Sequence, residues 1–224
     1  MPQRYFNCHT HFKPSKDEFV CRNAYHRQLE KLLEYGNYPV SIGVHPWYAD
    51  QFSEELMEKM HRLSALGRVL AIGETGLDKR RGPELEVQLR NWVAHAALAS
   101  QTGLPLMVHC VRAWQEIRPA CMTAQINILF HDFRGNHPIL NGFLPYPHLY
   151  FSFGKSLFQS EAAASVFRAV PENRFLLETD HSTFSIHQIY EKAAQLRQMK
   201  TGDFSELVKK NSKEFFGAKA LPFF

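Results

Sequence analysis

The amino-acid sequence predicts an α/β fold, a (β/α)8 TIM barrel that is distorted or trimmed relative to a full-sized one. Three observations point there. Eight short apolar runs recur along the chain, several without polar alternation, as strands buried on both faces of a parallel sheet do. Stretches of helical periodicity with their own start and stop residues lie between them. The runs also end repeatedly in histidine or a carboxylate, which suits the mouth of a barrel. Alternation does not say whether the sheet closes, so a doubly wound open sheet is the second architecture.

Taken in order, strands are expected at Tyr5–Thr10, Glu18–Arg22, Val40–Val44, Val69–Gly73, Pro105–His109, Ile126–His131, Leu149–Phe153 and Phe175–Glu178. A helix over Ala24–Tyr35 carries Leu29, Leu32 and Leu33 as one stripe and stops at Gly36. Ser53 caps a helix with an acidic first turn (Glu54, Glu55), which ends at Gly67. Pro83 suits a first helical position, and Gly103 closes the long helix after it. Asp203 with Glu206 has capping-box spacing, and the helix they open runs to Phe216 and stops at Gly217.

The 224 residues contain no repeat, low-complexity tract or linker, so a single domain over 1–224 is expected. The hydrophobic fraction of 45% and charged fraction of 21% are those of an ordinary globule. A net charge of +4 permits an anionic partner without demanding one. The apolar runs are too short to span a bilayer, and Met1–Tyr5 has no apolar signal segment. The four cysteines lack C-x-x-C spacing, which excludes zinc-ribbon and redox motifs and points to free thiols in a reducing cytoplasm.

Twelve histidines are many for such a chain. His26, His61 and His95 fall in helical patterns and His137, His148 and His187 near turns; these six are assigned to structure. The others cluster at strand ends. His9 and His11 stand two apart in the first strand and share a face. His45 follows the third strand, Glu74 and Asp78 close the fourth, His109 the fifth, His131 the sixth, and Glu178 and Asp180 the eighth. Core packing gives no reason for this choice, and burying such groups unpartnered costs several kcal/mol, roughly. A metal supplies the partner. The set His9, His11, Glu74, His109, His131 and Asp180 is too rich for one ion and fits two divalent ions sharing a carboxylate. Metal-assisted hydrolysis, with a metal-bound hydroxide as nucleophile, is the expected chemistry.

The ordered motifs resemble those of the TatD-type metal-dependent deoxyribonucleases, within the amidohydrolase-like barrels. They are Asn7-Cys8-His9-Thr10-His11 (for D-x-H-x-H), Gly43-Val44-His45-Pro46, Ile72 to Asp78 (I-G-E-x-G-L-D), Pro105 to His109 with Arg112-Ala113, His131-Asp132-Phe133-Arg134-Gly135, Glu178-Thr179-Asp180, and Asn211 to Phe216. The resemblance implies a barrel that hydrolyses DNA phosphodiesters with two divalent ions. It implies one ion on His9, His11 and Asp180, a second on His109 and His131, and Glu74 bridging. Asp180 takes the proton of the attacking water, and His45 sits near the leaving group or phosphate; Asp180, Glu74 and His45 are the implied catalytic residues.

The chain departs from the family pattern outside the ligand set. Asn7 stands for the first aspartate, Trp47 for a usual histidine and Cys110 for a common serine. His181-Ser182 follow Asp180 without the usual nearby proline, and the span from His11 to Gly43 leaves room for one helix.

Cations follow several strand ends: Lys13, Lys79, Arg80, Arg81, Arg112, Arg134 and Lys155. Arginine suits bidentate phosphate contact, and Arg112 and Arg134 are the candidates. Trp47, Tyr48 and Phe133 are candidates for base stacking. The expected substrate is DNA, as a single strand or at an end, with zinc, manganese or magnesium as the metal; imidazole-rich ligands favour the first two. A hydrolase of a C–N or C–O bond in a small metabolite is the first alternative, although Glu74 stands where such enzymes carry a carbamylated lysine. A non-catalytic binding protein with a degenerate site is the alternative of another class.

Overall fold

The computed structural model describes residues 5–34 and 38–224. Its eight strands are β1 (Tyr5–Thr10), β2 (Glu18–Tyr25), β3 (Val40–Gly43), β4 (Val69–Asp78), β5 (Leu106–Val111), β6 (Ile128–Phe130), β7 (Leu149–Phe153) and β8 (Phe175–Leu177). They lie side by side in chain order, each pair parallel. The sheet curls until its edges meet. The amide of Asp180 donates to the His9 carbonyl at 3.1 Å, and Thr10 bridges Asp180 in parallel register. This is a nearly closed TIM barrel, which sets aside the open doubly wound sheet.

The helices are α1 (Glu54–Ser64), α2 (Leu85–Thr102), α3 (Trp114–Thr123), α4 (His137–Phe143), α5 (Ser156–Gln159), α6 (Glu161–Ala169), α7 (Ile186–Leu196) and α8 (Thr201–Phe216). The Ser53 hydroxyl caps α1 by accepting from the Leu56 amide, and Gly103 ends α2 in a left-handed conformation. Tyr190 on α7 ties that helix to β1, its hydroxyl accepting from the Phe6 amide and donating to the Phe6 carbonyl, both at 3.0 Å. Phe130, Phe151, Phe153 and Phe175 fill the core between strands and helices.

Several boundaries differ from those expected. Ala24 and Tyr25 belong to β2, and only the short 3-10 stretch His26–Glu34 follows; Tyr35 and Gly36 lie outside the described residues. Parallel pairing of Arg22–Tyr25 with Val40–Gly43 outweighs local helical periodicity there. The first helix after Ser53 stops at Ser64 rather than Gly67. Pro83 precedes the N-cap Glu84 instead of opening α2. The Asp203–Glu206 pair is not a capping box, because α8 begins two residues earlier at Thr201. A true capping box occurs at Ser185 and Gln188, opening α7.

Candidate active site

Strand β4 positions the centre of the site. Ile72 pairs with Leu106 but Thr75 with Val108, so β4 carries one extra residue between them, a bulge that re-aims the side chain. Glycine makes this possible. A Cβ on Gly73 (φ 139°) would lie 2.3 Å from the Met107 carbonyl oxygen, and one on Gly76 (φ 130°) 2.1 Å from that of His109. Between these glycines the buried Glu74 turns into the barrel mouth.

Its carboxylate meets five imidazoles. Oε1 lies 2.8 Å from His131 Nε2, 3.0 Å from His45 Nε2 and 3.2 Å from His109 Nδ1. Oε2 lies 3.6 Å from His9 Nε2 and 3.8 Å from His11 Nε2. Asp180 closes the other side, with Oδ1 3.2 Å from His11 Nε2 and 3.7 Å from His9 Nε2. Asp180 has left-handed backbone (φ 49°), which aspartate tolerates better than most residues. Thus the six expected ligands from β1, β4, β5, β6 and the end of β8 meet at one place. His45 also enters the cluster, closer to Glu74 than a role at the mouth implies.

The electrostatics follow from this crowding. Burial alone would raise the Glu74 carboxyl; the imidazoles of His45, His131 and His109 outweigh it and hold Glu74 well below the usual carboxylate range. Burial opposes protonation of His131, but Glu74 and Glu178 together push it well above the ordinary histidine value. His9, desolvated and faced by His131, drops to about 3. Asp180 stays low against its own burial through His11 and His9.

Three supporting residues lie outside the expected ligand set, two of them, Asp78 and Glu178, already marked as strand-end carboxylates. Asp78 places Oδ2 3.2 Å from His109 Nε2 and accepts the Trp47 indole N–H at 2.7 Å. Glu178 places Oε1 3.4 Å from His131 Nδ1 and accepts from Ser152 Oγ. Carboxylates behind histidines in this way orient the rings and raise their basicity. Their signal was even spacing from Glu74 and from Asp180. Asn23, the third, donates Nδ2 to Glu74 Oε2 at 3.4 Å and accepts the Glu74 amide at 3.1 Å. It lies beyond the expected end of the second strand, so no signal marked it.

Asn7 does not back the His9–His11 pair among the described contacts. It staples β1 to β8: its Nδ2 donates to Thr179 Oγ1 at 2.8 Å and its Oδ1 accepts the Thr179 amide at 3.0 Å. Thr179 Oγ1 donates onward to Thr10 Oγ1 at 2.9 Å. An amide suits this chain because a carboxylate has no hydrogen to give.

Around the mouth, Arg112 is exposed and Arg134 is exposed but engaged, its guanidinium on Asp132 Oδ2 at 2.7 and 2.9 Å. Lys79 pairs with Glu116, and Arg81 lies over the Trp47 ring at 3.8 Å. Phe133 is buried against Trp114 and Phe151, so it offers no face for base stacking; the apolar layer outside β6 and β7 claims its ring. His95 is structural as expected. Its Nε2 accepts the Val44 amide at 3.0 Å, and Nδ1 therefore donates to the Asn91 carbonyl at 2.8 Å. With Asn91 Nδ2 on the Val44 carbonyl, α2 thereby grips the backbone that delivers His45.

The donor set fits divalent metal. His9 Nε2 is buried without a hydrogen-bond partner, yet faces two carboxylates at ligand-sharing distances. Compatible groups are His9 with His11 and Asp180, His9 with Glu74 and His131, and His45 with Glu74 and His109.

A family model described as TatD related DNase matches residues 8–217. The chain belongs to the TatD family. Among similar proteins, the uncharacterized metal-dependent hydrolase YabD of Bacillus subtilis is 26% identical over 210 residues, 85% of this chain and 82% of that protein. The 3'-5' ssDNA/RNA exonuclease TatD of Erwinia tasmaniensis is 30% identical over 156 residues, 62% of this chain and 56% of its own length. The crystal structure of YJJV, a TatD homologue from Escherichia coli, superposes with a TM-score of 0.82 at 18% identity, covering 96% of this chain and 99% of that one. The TatD barrel is thus shared in fold, and the chain is a TatD-family metal-dependent hydrolase. Among the described residues no helix is long and apolar enough to cross a membrane.

Proposed function

We propose that residues 1–224 act as one TatD-like domain that cleaves DNA phosphodiester bonds, on single strands or at an end, with two divalent ions. The carrying observation is the Glu74 carboxylate set among five imidazoles with Asp180 opposite. A relative bearing the name ssDNA/RNA exonuclease supports the substrate class.

In this proposal His9, His11 and Asp180 hold one ion, and His109 and His131 the other, with Glu74 shared. Bound there, divalent metal supplies Lewis acidity to the phosphate oxygens and acidifies a water. Zinc or manganese suits the imidazole-rich donors better than magnesium. Asp180 is ionised and keeps a small part of its side chain open to the mouth, so it receives the proton of the attacking water at Oδ1 or Oδ2. Lys155 Nζ stands 3.8 Å from Asp180 Oδ2, placed to hold that carboxylate or an incoming phosphate oxygen. His45, within hydrogen-bond reach of Glu74, acts as a third catalytic-site imidazole on the leaving-group side. Arg112 and Arg134 bind flanking phosphates, and Trp47 borders their path. The buried free thiols suit a reducing cytoplasm.

Elemental analysis and a labelled single-stranded DNA assay test the proposal together. Two transition-metal ions per chain and metal-dependent shortening of the DNA, abolished by His109→Ala with the fold retained, are expected. A metal-loaded protein that leaves DNA intact but hydrolyses a small ester or amide would overturn it.

A further inference from the structure

Exposed large apolar side chains are rare among the described residues: Phe12, Val93, Phe158 and Leu221. Phe12 and Phe158 stand at the barrel mouth, beyond β1 and β7, flanking the loop that follows β8. That loop connects them. The His181 ring lies flat on His11, centroids 3.7 Å apart and planes 5° apart, and meets the edge of Phe12 at 6.2 Å. Phe184 stacks on Phe158 at 4.1 Å and 6°. His181 directly follows Asp180, so the aromatic strip starts at the ligand cluster. Lys13 is exposed next to Phe12, and Lys155, three residues before Phe158, reaches Asp180.

Exposed flat rings with cations beside them match the alternation of bases and phosphates in a single strand. A duplex keeps its bases stacked inside and offers such rings nothing. Resting on the nuclease proposal above, we infer that the strip Phe12–His181–Phe184–Phe158 is the base-stacking track for the single strand whose phosphate enters the metal cluster. It lies across the mouth from Trp47, whose ring carries Arg81.

An abasic oligomer has the same phosphates without bases, so it separates stacking from charge. Fluorescence anisotropy at one salt concentration would compare metal-loaded protein on a phosphorothioate oligothymidylate and on its abasic counterpart. Wild type should favour the oligothymidylate by roughly tenfold or more. Phe12→Ala with Phe158→Ala, its retained fold checked by circular dichroism, should bring it down to the abasic level. Equal wild-type binding to both oligomers, or a preference that survives in the double variant, would overturn the track. Cleavage of ordinary oligothymidylate is measured in parallel. If wild type cleaves but shows no base preference, the track alone fails; if it binds neither oligomer and leaves ordinary oligothymidylate intact, the nuclease proposal and the track fail together.

Discussion

The Trp47 indole N–H donates to Asp78 Oδ2 at 2.7 Å, and the same oxygen lies 3.2 Å from His109 Nε2. One carboxylate oxygen thus links the chain's departure at Trp47 to a candidate ligand. The Arg80 amide on Oδ1 at 2.8 Å fixes the carboxylate further, and with His109 these hydrogen bonds hold Asp78 down at about 2 against its burial. Asp78→Asn should therefore weaken metal binding by roughly 10–100-fold with the barrel intact. Glu178→Gln should do the same through His131. Metal titration calorimetry reads both, and unchanged affinity would show that these carboxylates serve folding alone. Trp47→Phe removes one charged hydrogen bond and should cost about 1.5–3 kcal/mol in urea unfolding.

Glu74 has a larger part. Glu74→Gln leaves five imidazoles facing a neutral amide in a buried site. Hydrolysis should fall by more than about 100-fold, beyond what a residue behind a ligand costs. Circular dichroism should show a retained barrel. Activity within tenfold of wild type would contradict the shared role.

Two glycines differ in what they tolerate. A Cβ on Gly76 meets the His109 carbonyl oxygen, and its φ of 130° is closed to other residues. Gly103 also has positive φ, at 67°, but its Cβ would meet nothing within 4 Å. Gly76→Ala should cost at least about 3 kcal/mol or prevent folding, and Gly103→Ala about 1–2 kcal/mol. Thermal unfolding of the pair checks the order, and similar losses at both sites would contradict it.

Stability should also carry a pH signature from His95. Burial lowers this imidazole to about 4 in the folded chain, against about 6.5 unfolded. As pH falls through 6.5 the unfolded chain takes up the proton first, so stability declines from pH 6.5 to 4. The whole window amounts to about 3 kcal/mol. Urea unfolding in chelator, wild type against His95→Gln, should show the wild-type advantage shrinking by that amount between pH 7 and pH 4. A constant difference would refute the assignment.

Much of this was legible in the chain itself. Strands buried on both faces are written as unbroken apolar runs such as Val69–Ile72 and Leu149–Phe151, because nothing on either side accepts a polar group. The six ligand candidates were legible because each stands at or just beyond the end of an expected strand, and parallel strands deliver their ends to one mouth. Barrel closure was not, since the Asp180–His9 backbone bond joins residues far apart in sequence that no local pattern pairs. Nor was the extension of β2 to Tyr25, where pairing with β3 overrides helical spacing and brings Asn23 to Glu74. Sequence alone determined which residue types stand at the strand ends. Tertiary structure decided their partners: Asp78 to His109, Glu178 to His131, Asn7 to Thr179 rather than to the histidine pair. Periodicity reports which face a side chain takes, but the bulge and twist of the closed sheet set which neighbours it meets.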